Sequence, residues 1–482
     1  MLTPRISLLM LLVLLCSPLH IKAQSHEFIA KEGSFGIDKT NKIIVWHIGA
    51  DSSLIGNNQK TSISFDNTVK IAIGASQLSY SVPLHFLYLD DPYTLYITRF
   101  PVINMVVEDQ LKDNLKIPGR FSYFHKDNYL KSVIGIEYRG NLSLSFPKKS
   151  YDLEFWTDSI NRETRDVKFK GLLVDDDLIL DGLYNEPLRL RSFMATKLWK
   201  DIHKPYYLES EPKAESGFDV IYVEVFINQK YEGIYALSES VSRKLLHLKR
   251  NEDRKIRGEL FKAASYEGAP GFIKAPDYNN VFPHWGGFEM EYPIVDYRSH
   301  WENLFKLVDL VVNGDDIEFA KQITKEINID NAVDYYLFVN LLRATDNLGK
   351  NYYLAKYDEG EPYFFVPWDL DGVMGIIQDG KRIATTDDML NNGLYNRLLK
   401  LSRERFRDKL KQRWNTLRKT EFSNDNLFGT IERIYKQMNS EKIYERENII
   451  WPLETDKSDH YEYLKDWLNN RLIFLDQHYE GM

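Results

Sequence analysis

D-N-L-G-K-N-Y-Y-L-A-K-Y-D-E-G-E-P-Y-F-F-V-P-W-D-L-D, residues 346–371, decides how the rest of the chain is read. It follows a helical pattern that runs from Asn331 to Ala344. Two β-rich runs, Asn351 to Tyr357 and Tyr363 to Trp368, flank the polar turn Asp358-Glu359-Gly360-Glu361 and read as a hairpin. A turn centred near Gly360 sets Asn351 roughly opposite Trp368 or Asp369, so Asp346, Asn351, Asp369 and Asp371 meet at the open end. Such a cluster of carboxylates and an amide offers the hard oxygens that Mg²⁺ or Ca²⁺ takes, above all when a phosphate completes the shell. Pro367 has no N–H for a ladder, so this end of the strand is expected to be an edge or a bulge.

The spacing adds chemistry to the cluster. Asp346-x-x-x-x-Asn351 matches the catalytic-loop spacing of protein kinases, in which Asp takes the substrate hydroxyl proton and Asn holds a metal ion. A hairpin later, Trp368-Asp369-Leu370-Asp371-Gly372 stands where a metal-binding Asp is required. A lone D-x-x-x-x-N is as well explained by acids that cap turns and face water; the second acidic motif at hairpin distance favours a site.

The chain opens with Arg5, an apolar run from Ile6 to Leu15, and Ile21-Lys22-Ala23 before Gln24, which reads as a secretory signal peptide over residues 1–23. The single cysteine, Cys16, lies inside that segment, and Leu15 before it argues against a lipid anchor. An exported chain without disulfides fits a periplasmic, cell-surface or secreted bacterial protein. Removing Arg5 and Lys22 with the signal takes the formal charge from −8 to −10, which gives no support for nucleic-acid binding. No later stretch is long and apolar enough to span a membrane. The 30 Tyr and 26 Phe residues read as core and sheet-face aromatics in preference to carbohydrate contacts.

Strand-like text over residues 24–95 predicts a small accessory β domain, for substrate docking or for packing, with a boundary near Asp90-Asp91-Pro92. Residues 96–240 form a second unit, with strands expected at Val102–Val107, Ile134–Tyr138, Leu142–Phe146 and Tyr151–Phe155. Within it, Lys148 and Lys149 precede a strand, a helical run from Leu188 to Asp201 carries Arg189 and Arg191, and a strand-turn-strand unit ends on Glu239. Glu259–Lys262 adds one more strand with a terminal lysine. Gly268-Ala269-Pro270-Gly271 and Trp285-Gly286-Gly287 mark connections suited to a lid. Residues 241–482 turn helical, with one long helix expected over Leu394–Leu417. The whole reads as α+β, a strand-rich and a helix-rich half with the acid-bearing hairpin between them.

The succession P-K-K-S-Y-D-L-E-F (147–155), L-R-S (190–192), V-E-V-F-I-N-x-x-Y-E-G-I-Y-x-L-x-E (223–239), E-L-F-K (259–262), D-x-x-x-x-N-Y-Y-L (346–354) and P-W-D-L-D-G-V-M-G (367–375) resembles the CotH family of spore-coat-protein-H-like atypical kinases, over roughly residues 96 to 480. The resemblance implies a divergent two-lobed protein-kinase-like fold behind the small N-terminal β domain. It also implies ATP, Mg²⁺ or Mn²⁺, and transfer of the γ-phosphate to Ser or Thr of exported proteins. By that resemblance Asp346 is the catalytic acid, Asn351 and Asp369 are metal ligands with Asp371 sharing the role, and Lys149 contacts phosphate, with Lys148 as its substitute. Arg191, Glu239 and Lys262 are further candidates for the nucleotide pocket. The chain departs from the kinase pattern in having no Gly-rich loop, and from many relatives in having Ser192 where they have Asn. Two alternatives stand beside this reading: a non-catalytic surface binder on a kinase-like scaffold, and AMP transfer or ATP-driven amino-acid ligation. Three oxygen donors kept together favour an enzyme. No H-x-x-x-H pair or G-x-S-x-G motif points to another hydrolytic chemistry, and Cys16 would leave with the signal.

Overall fold

A computed structural model describes residues 26–482, apart from 56–59, 67–68, 75–77, 127, 253–254, 296–299, 402 and 454–455. The proposed signal peptide lies outside the described residues.

The N-terminal unit is built from two small sheets. One joins β1 (His26–Ile29), β4 (Lys60–Phe65) and β5 (Val69–Gly74); the other runs β2 (Phe35–Asp38), β3 (Ile43–His47), β7 (Asp91–Thr98), β6 (Leu84–Tyr88). Trp46 of β3 packs edge-on against Phe65 of β4, so the two sheets share one core. The expected boundary at residue 95 falls inside β7, and Asp90-Asp91-Pro92 belongs to the β6–β7 hairpin, where Leu89 and Asp90 both have positive φ (51° and 67°). Two adjacent left-handed residues make a tight hairpin turn, which an Asp-rich sequence imitates when it is read as a linker. Lys126 N–H donates to His47 Nε2 (2.8 Å), and His47 Nδ1 donates to Phe100 O (2.9 Å), binding this unit to the next.

That next unit is a closed barrel of seven strands in the order β10-β11-β12-β14-β13-β8-β9. Its strands are β8 (Val102–Val107), β9 (Ile117–His125), β10 (Asn128–Arg139), β11 (Ser150–Trp156), β12 (Asp177–Asp181), β13 (Val220–Ile227) and β14 (Lys230–Glu239). Alternating residues such as Ile103, Met105, Ile134, Ile136, Leu153 and Phe155 fill the interior. Leu142–Phe146, expected as a strand from its alternation, is instead a short 3-10 turn over Leu142–Ser145. Ser143 Oγ donates to Arg139 O and Ser145 Oγ to Leu142 O, local bonds that compete with a ladder.

Between β12 and β13, α1 (Arg191–Ile202) packs on the barrel; its first turn has no cap at Leu190, and Glu186 accepts the N–H groups of Leu188, Leu190 and Arg191 instead. After the short α2 (Arg243–Leu246), a five-stranded sheet forms in the order β16-β17-β15-β18-β19. It comprises β15 (Glu259–Ala263), β16 (His284–Trp285), β17 (Phe288–Tyr292), β18 (Tyr352–Lys356) and β19 (Tyr363–Pro367). Pro367 closes β19, which is an edge strand.

Helices α3 (Glu302–Val312), α4 (Asp316–Glu326) and α5 (Ile329–Leu342) lead into the hairpin, and α5 is the central one, buried from Asn331 to Leu342. Asn331 on α5 clamps β19 through both amide atoms, donating to Phe365 O and accepting from Phe365 N–H. The tail carries α6 (Gly393–Leu401), α7 (Arg403–Leu417), α8 (Asn424–Ser440), α9 (Ile443–Ile450) and α10 (Lys457–Glu480); α6 and α7 cover the helical run expected over Leu394–Leu417, apart from residue 402, which lies outside the described residues. Among the described residues no helix is long and apolar enough to cross a membrane. The architecture is α+β, with helices gathered in the C-terminal half.

Candidate active site

The site grows out of the turn that follows α5. Arg343 leaves the helix in the left-handed region (φ 51°), and Asp346–Leu348 make a single 3-10 turn. Asn347 then fastens the open end of the hairpin, its Nδ2 donating to Asn351 O (2.6 Å) and Trp368 O (2.8 Å). Tyr352 pairs with Pro367, and Trp368 N–H donates to Asn351 O (3.1 Å), so Asn351 sits across from Trp368. Asn351 (φ 57°) and Asp369 (φ 52°) both adopt the left-handed region, so both strands leave the sheet at the same level. Asn and Asp are the residues that accept this conformation most readily after Gly, and such backbone strain gathers at functional sites.

Asp346, Asn351, Asp369 and Asp371 all line one cavity of about 610 Å³. The barrel contributes Arg139 and Asp181 to its walls, the segment between β10 and β11 contributes Lys148, and β15 contributes Lys262. The cavity thus lies between the barrel and the five-stranded sheet. Asp346 Oδ2 pairs with Lys350 Nζ (3.1 Å), and Asn351 Nδ2 stands 3.5 Å from the same oxygen. Although Asp369 is open to the cavity by area, desolvation by the surrounding walls raises its carboxyl above the ordinary value, against the pull of Arg139. Burial and then the charge of Asp369 raise Asp371 well above its own.

The two lysines differ from the expectation. Lys149 is turned out of the cavity, its ammonium donating to Leu144 O and Phe146 O (2.6 Å each). Lys148 lines the cavity and is buried, donating to Ile234 O and to Glu447 Oε1 (2.5 Å each). Neighbouring side chains at a strand entry point opposite ways, so only one of an adjacent pair can face the cleft. Glu447, on α9, also accepts from Arg189 Nε (2.9 Å). Burial alone would raise the Glu447 carboxyl, but Arg189 and Lys148 overcome it and bring it to about 2. Burial lowers the Lys148 ammonium to about 8 despite Glu447.

Arg191 and Glu239 do not line this cavity. Arg191 is fully buried against Glu186 and Met374 O, and Glu239 accepts the N–H groups of Leu173 and Asp219. Both charges are met inside the fold, although Arg191 Nη2 is buried without a hydrogen-bond partner. Lys262 does face the cavity, 3.9 Å from Glu289 and from Glu291. The sequence reading missed Asp181, Arg139 and Glu447; each comes from a distant element and carries no local motif.

The donor set bears on a metal ion. Among the described residues, only Asp166, Asp175 and Asp176 bring three carboxylates within 4.8 Å of one another, and the Lys244 ammonium already fills that group (3.1, 2.7 and 3.3 Å). The cavity acids are more widely spread. That suits Mg²⁺, which commonly takes one or two carboxylates and leaves the rest of its shell to water and substrate phosphates. Carboxyls raised by desolvation and then by neighbouring like charge are groups that a cation would return to carboxylates.

Comparison with known proteins matches the family described as CotH kinase protein over residues 136–475. The inner spore coat protein H of Bacillus subtilis (strain 168) is 23% identical over 356 residues, covering 71% of this chain and 90% of the relative. Among solved structures, the Helicobacter pylori proinflammatory kinase CtkA aligns over 76% of this chain and 90% of its own at 10% identity, and its TM-score of 0.22 carries no argument about the fold.

Proposed function

The chain belongs to the CotH kinase family, and from that premise we propose that it transfers the γ-phosphoryl group of ATP to Ser or Thr hydroxyls of exported or surface proteins. The observation that carries this reading is the convergence of Asp346, Asn351, Asp369 and Asp371, with Lys148 and Lys262, on one cavity. In this reading the barrel and the helix-rich half serve as the two lobes of a divergent kinase-like fold. Export rests on the hydrophobic leader at residues 1–23 and on the relative whose name puts it in a spore coat.

Asn351 and Asp369, with Asp371 beside them, would hold Mg²⁺ or Mn²⁺. The bound cation would neutralise charge across the β- and γ-phosphates. The Lys148 ammonium is held by Ile234 O, Glu447 and the face of the Tyr235 ring, so it adds positive charge from behind the cavity wall and offers no free donor to a phosphate. Lys262 and Arg139 add positive charge from the two walls. Asp346 orients the acceptor hydroxyl and takes its proton as the oxygen bonds to phosphorus and ADP leaves. Positioning and fixed charge do most of the work in such a site.

The test is incubation of the chain with ATP labelled at both the γ- and α-phosphate, with Mg²⁺ or Mn²⁺ and protein acceptors. Asp346→Ala is expected to lower γ-label transfer by roughly 10²–10⁴-fold while nucleotide still binds; unchanged turnover removes Asp346 from the mechanism. Transfer of the α-label would mean nucleotidyl transfer. No transfer and no nucleotide binding would leave a surface binder.

A further inference from the structure

Tyr266 lies on the connection after β15, 59% exposed, yet its hydroxyl donates to Asp346 Oδ1 at 2.6 Å. The ring has a fitted seat. A Cβ at Gly349 would stand 2.6 Å from Tyr266 Cε1, so the ring occupies the space that a side chain at 349 would fill. The Lys350 ammonium sits 5.3 Å from the ring centroid and holds the other Asp346 oxygen. The connection itself is pinned on both sides of the tyrosine: Ala264 and Ser265 N–H donate to Gly287 O, and Tyr352 Oη donates to Pro270 O. The stretch that leads into Gly268-Ala269-Pro270-Gly271, a connection read from sequence as suited to a lid, therefore delivers a hydroxyl to the proposed proton acceptor.

We propose that Tyr266 is an internal phosphoryl acceptor, modified by its own chain before a protein substrate can use the site. The inference rests on the reading of Asp346 given above. The phenolic oxygen bonds to the γ-phosphorus, and the bond from that phosphorus to the β,γ-bridging oxygen breaks. ADP leaves with the electron pair, and the phenolic proton passes to Asp346 and then to water. The product carries a charge of about −1.5 to −2 at neutral pH. Asp346 repels it, while Lys350 and Lys262, both lining the cavity, attract it. The phosphotyrosine leaves its seat on Gly349, and the position beside Asp346 opens to an incoming hydroxyl.

The experiment incubates the full chain with γ-labelled ATP and Mg²⁺, with and without an added protein acceptor, and maps the modified residues by mass spectrometry. One phosphate per chain on Tyr266 is expected, at a rate independent of protein concentration and lost in Asp346→Asn. Gly349→Ala, which displaces the ring without touching the phenol, is expected to slow labelling of Tyr266 by roughly 10²-fold. Without nucleotide, Gly349→Ala and Tyr266→Phe should both speed amide exchange over residues 264–268. Label on the added acceptor with Tyr266 unmodified overturns this inference and leaves the phosphotransfer reading standing. Labelling of Tyr266 that rises with protein concentration overturns the internal route. Absence of label anywhere overturns both readings.

Discussion

Two charged regions beside the same cleft handle charge in opposite ways, one buried in the fold and one open to the cavity. On the barrel side, Lys148, Arg189 and Glu447 form a knot in which Glu447 is 3% exposed and answers both cations directly. On the hairpin side, Asp369 and Asp371 face Asp346 and Asp181, with Arg139 and Lys350 as the cations felt there. The knot is closed within the chain; the acids of the hairpin end are left with charge for something else to balance. A buried acid with its own cation reads as architecture, and a cavity acid among like charges reads as a place for a cation or its complex.

Breaking the knot should have the largest effect on stability. Glu447→Gln keeps the shape but leaves Lys148 and Arg189 buried without a counter-charge, and roughly 3–5 kcal/mol should be lost in denaturant unfolding. A loss below about 1 kcal/mol would place the pair among weak surface bridges and dissolve the contrast. The same knot sets an acid limit. Glu447 is lowered from 4.5 to about 2 in the fold. Its stabilisation is therefore complete above pH 4.5 and is lost as pH falls towards 2, because the unfolded chain takes up the proton first. The loss amounts to about 3 kcal/mol, and Glu447→Gln should remove that part of the pH dependence.

The hairpin side should answer to ligand instead. Mg²⁺ with a non-hydrolysable ATP analogue at a hundredfold excess over Kd is expected to stabilise the wild-type fold by about 2.7 kcal/mol. Asp369→Asn should abolish most of that gain, and without ligand it should unfold no more easily than wild type, since it removes one of several like charges. If Asp369→Asn responds to Mg²⁺ as wild type does, the metal role moves to Asp371.

What the sequence showed and what it hid divide along similar lines. The hairpin was legible because its turn, its aromatic runs and its acids lie within residues 346–371, and the observed register Tyr352–Pro367 follows from a turn at Gly360. The choice between Lys148 and Lys149 was hidden, because it depends on the phase in which β11 begins and on a partner 299 residues away. Arg191 and Glu239 looked like ligands for the same reason, since a charge matched by Glu186 or by two backbone N–H groups has no local signature. Leu142–Phe146 alternates as a strand should, yet its serines bond back to the main chain. Asn347, which staples the hairpin end, is one amide in a loop until its two carbonyl partners are seen.

The third charged group tests whether burial, and not acid count, separates the two regions. Asp166, Asp175 and Asp176 surround Lys244 more tightly than the cavity acids surround one another, but Lys244 is 43% exposed. Water and salt screen charges in that position, so Lys244→Ala is expected to cost less than about 1 kcal/mol. The loss should shrink further in 1 M salt, where screening acts within about 3 Å. A loss comparable to that of Glu447→Gln would show that counting carboxylates predicts stability as well as burial does. A small one keeps burial as the feature that makes the Glu447 knot costly to break.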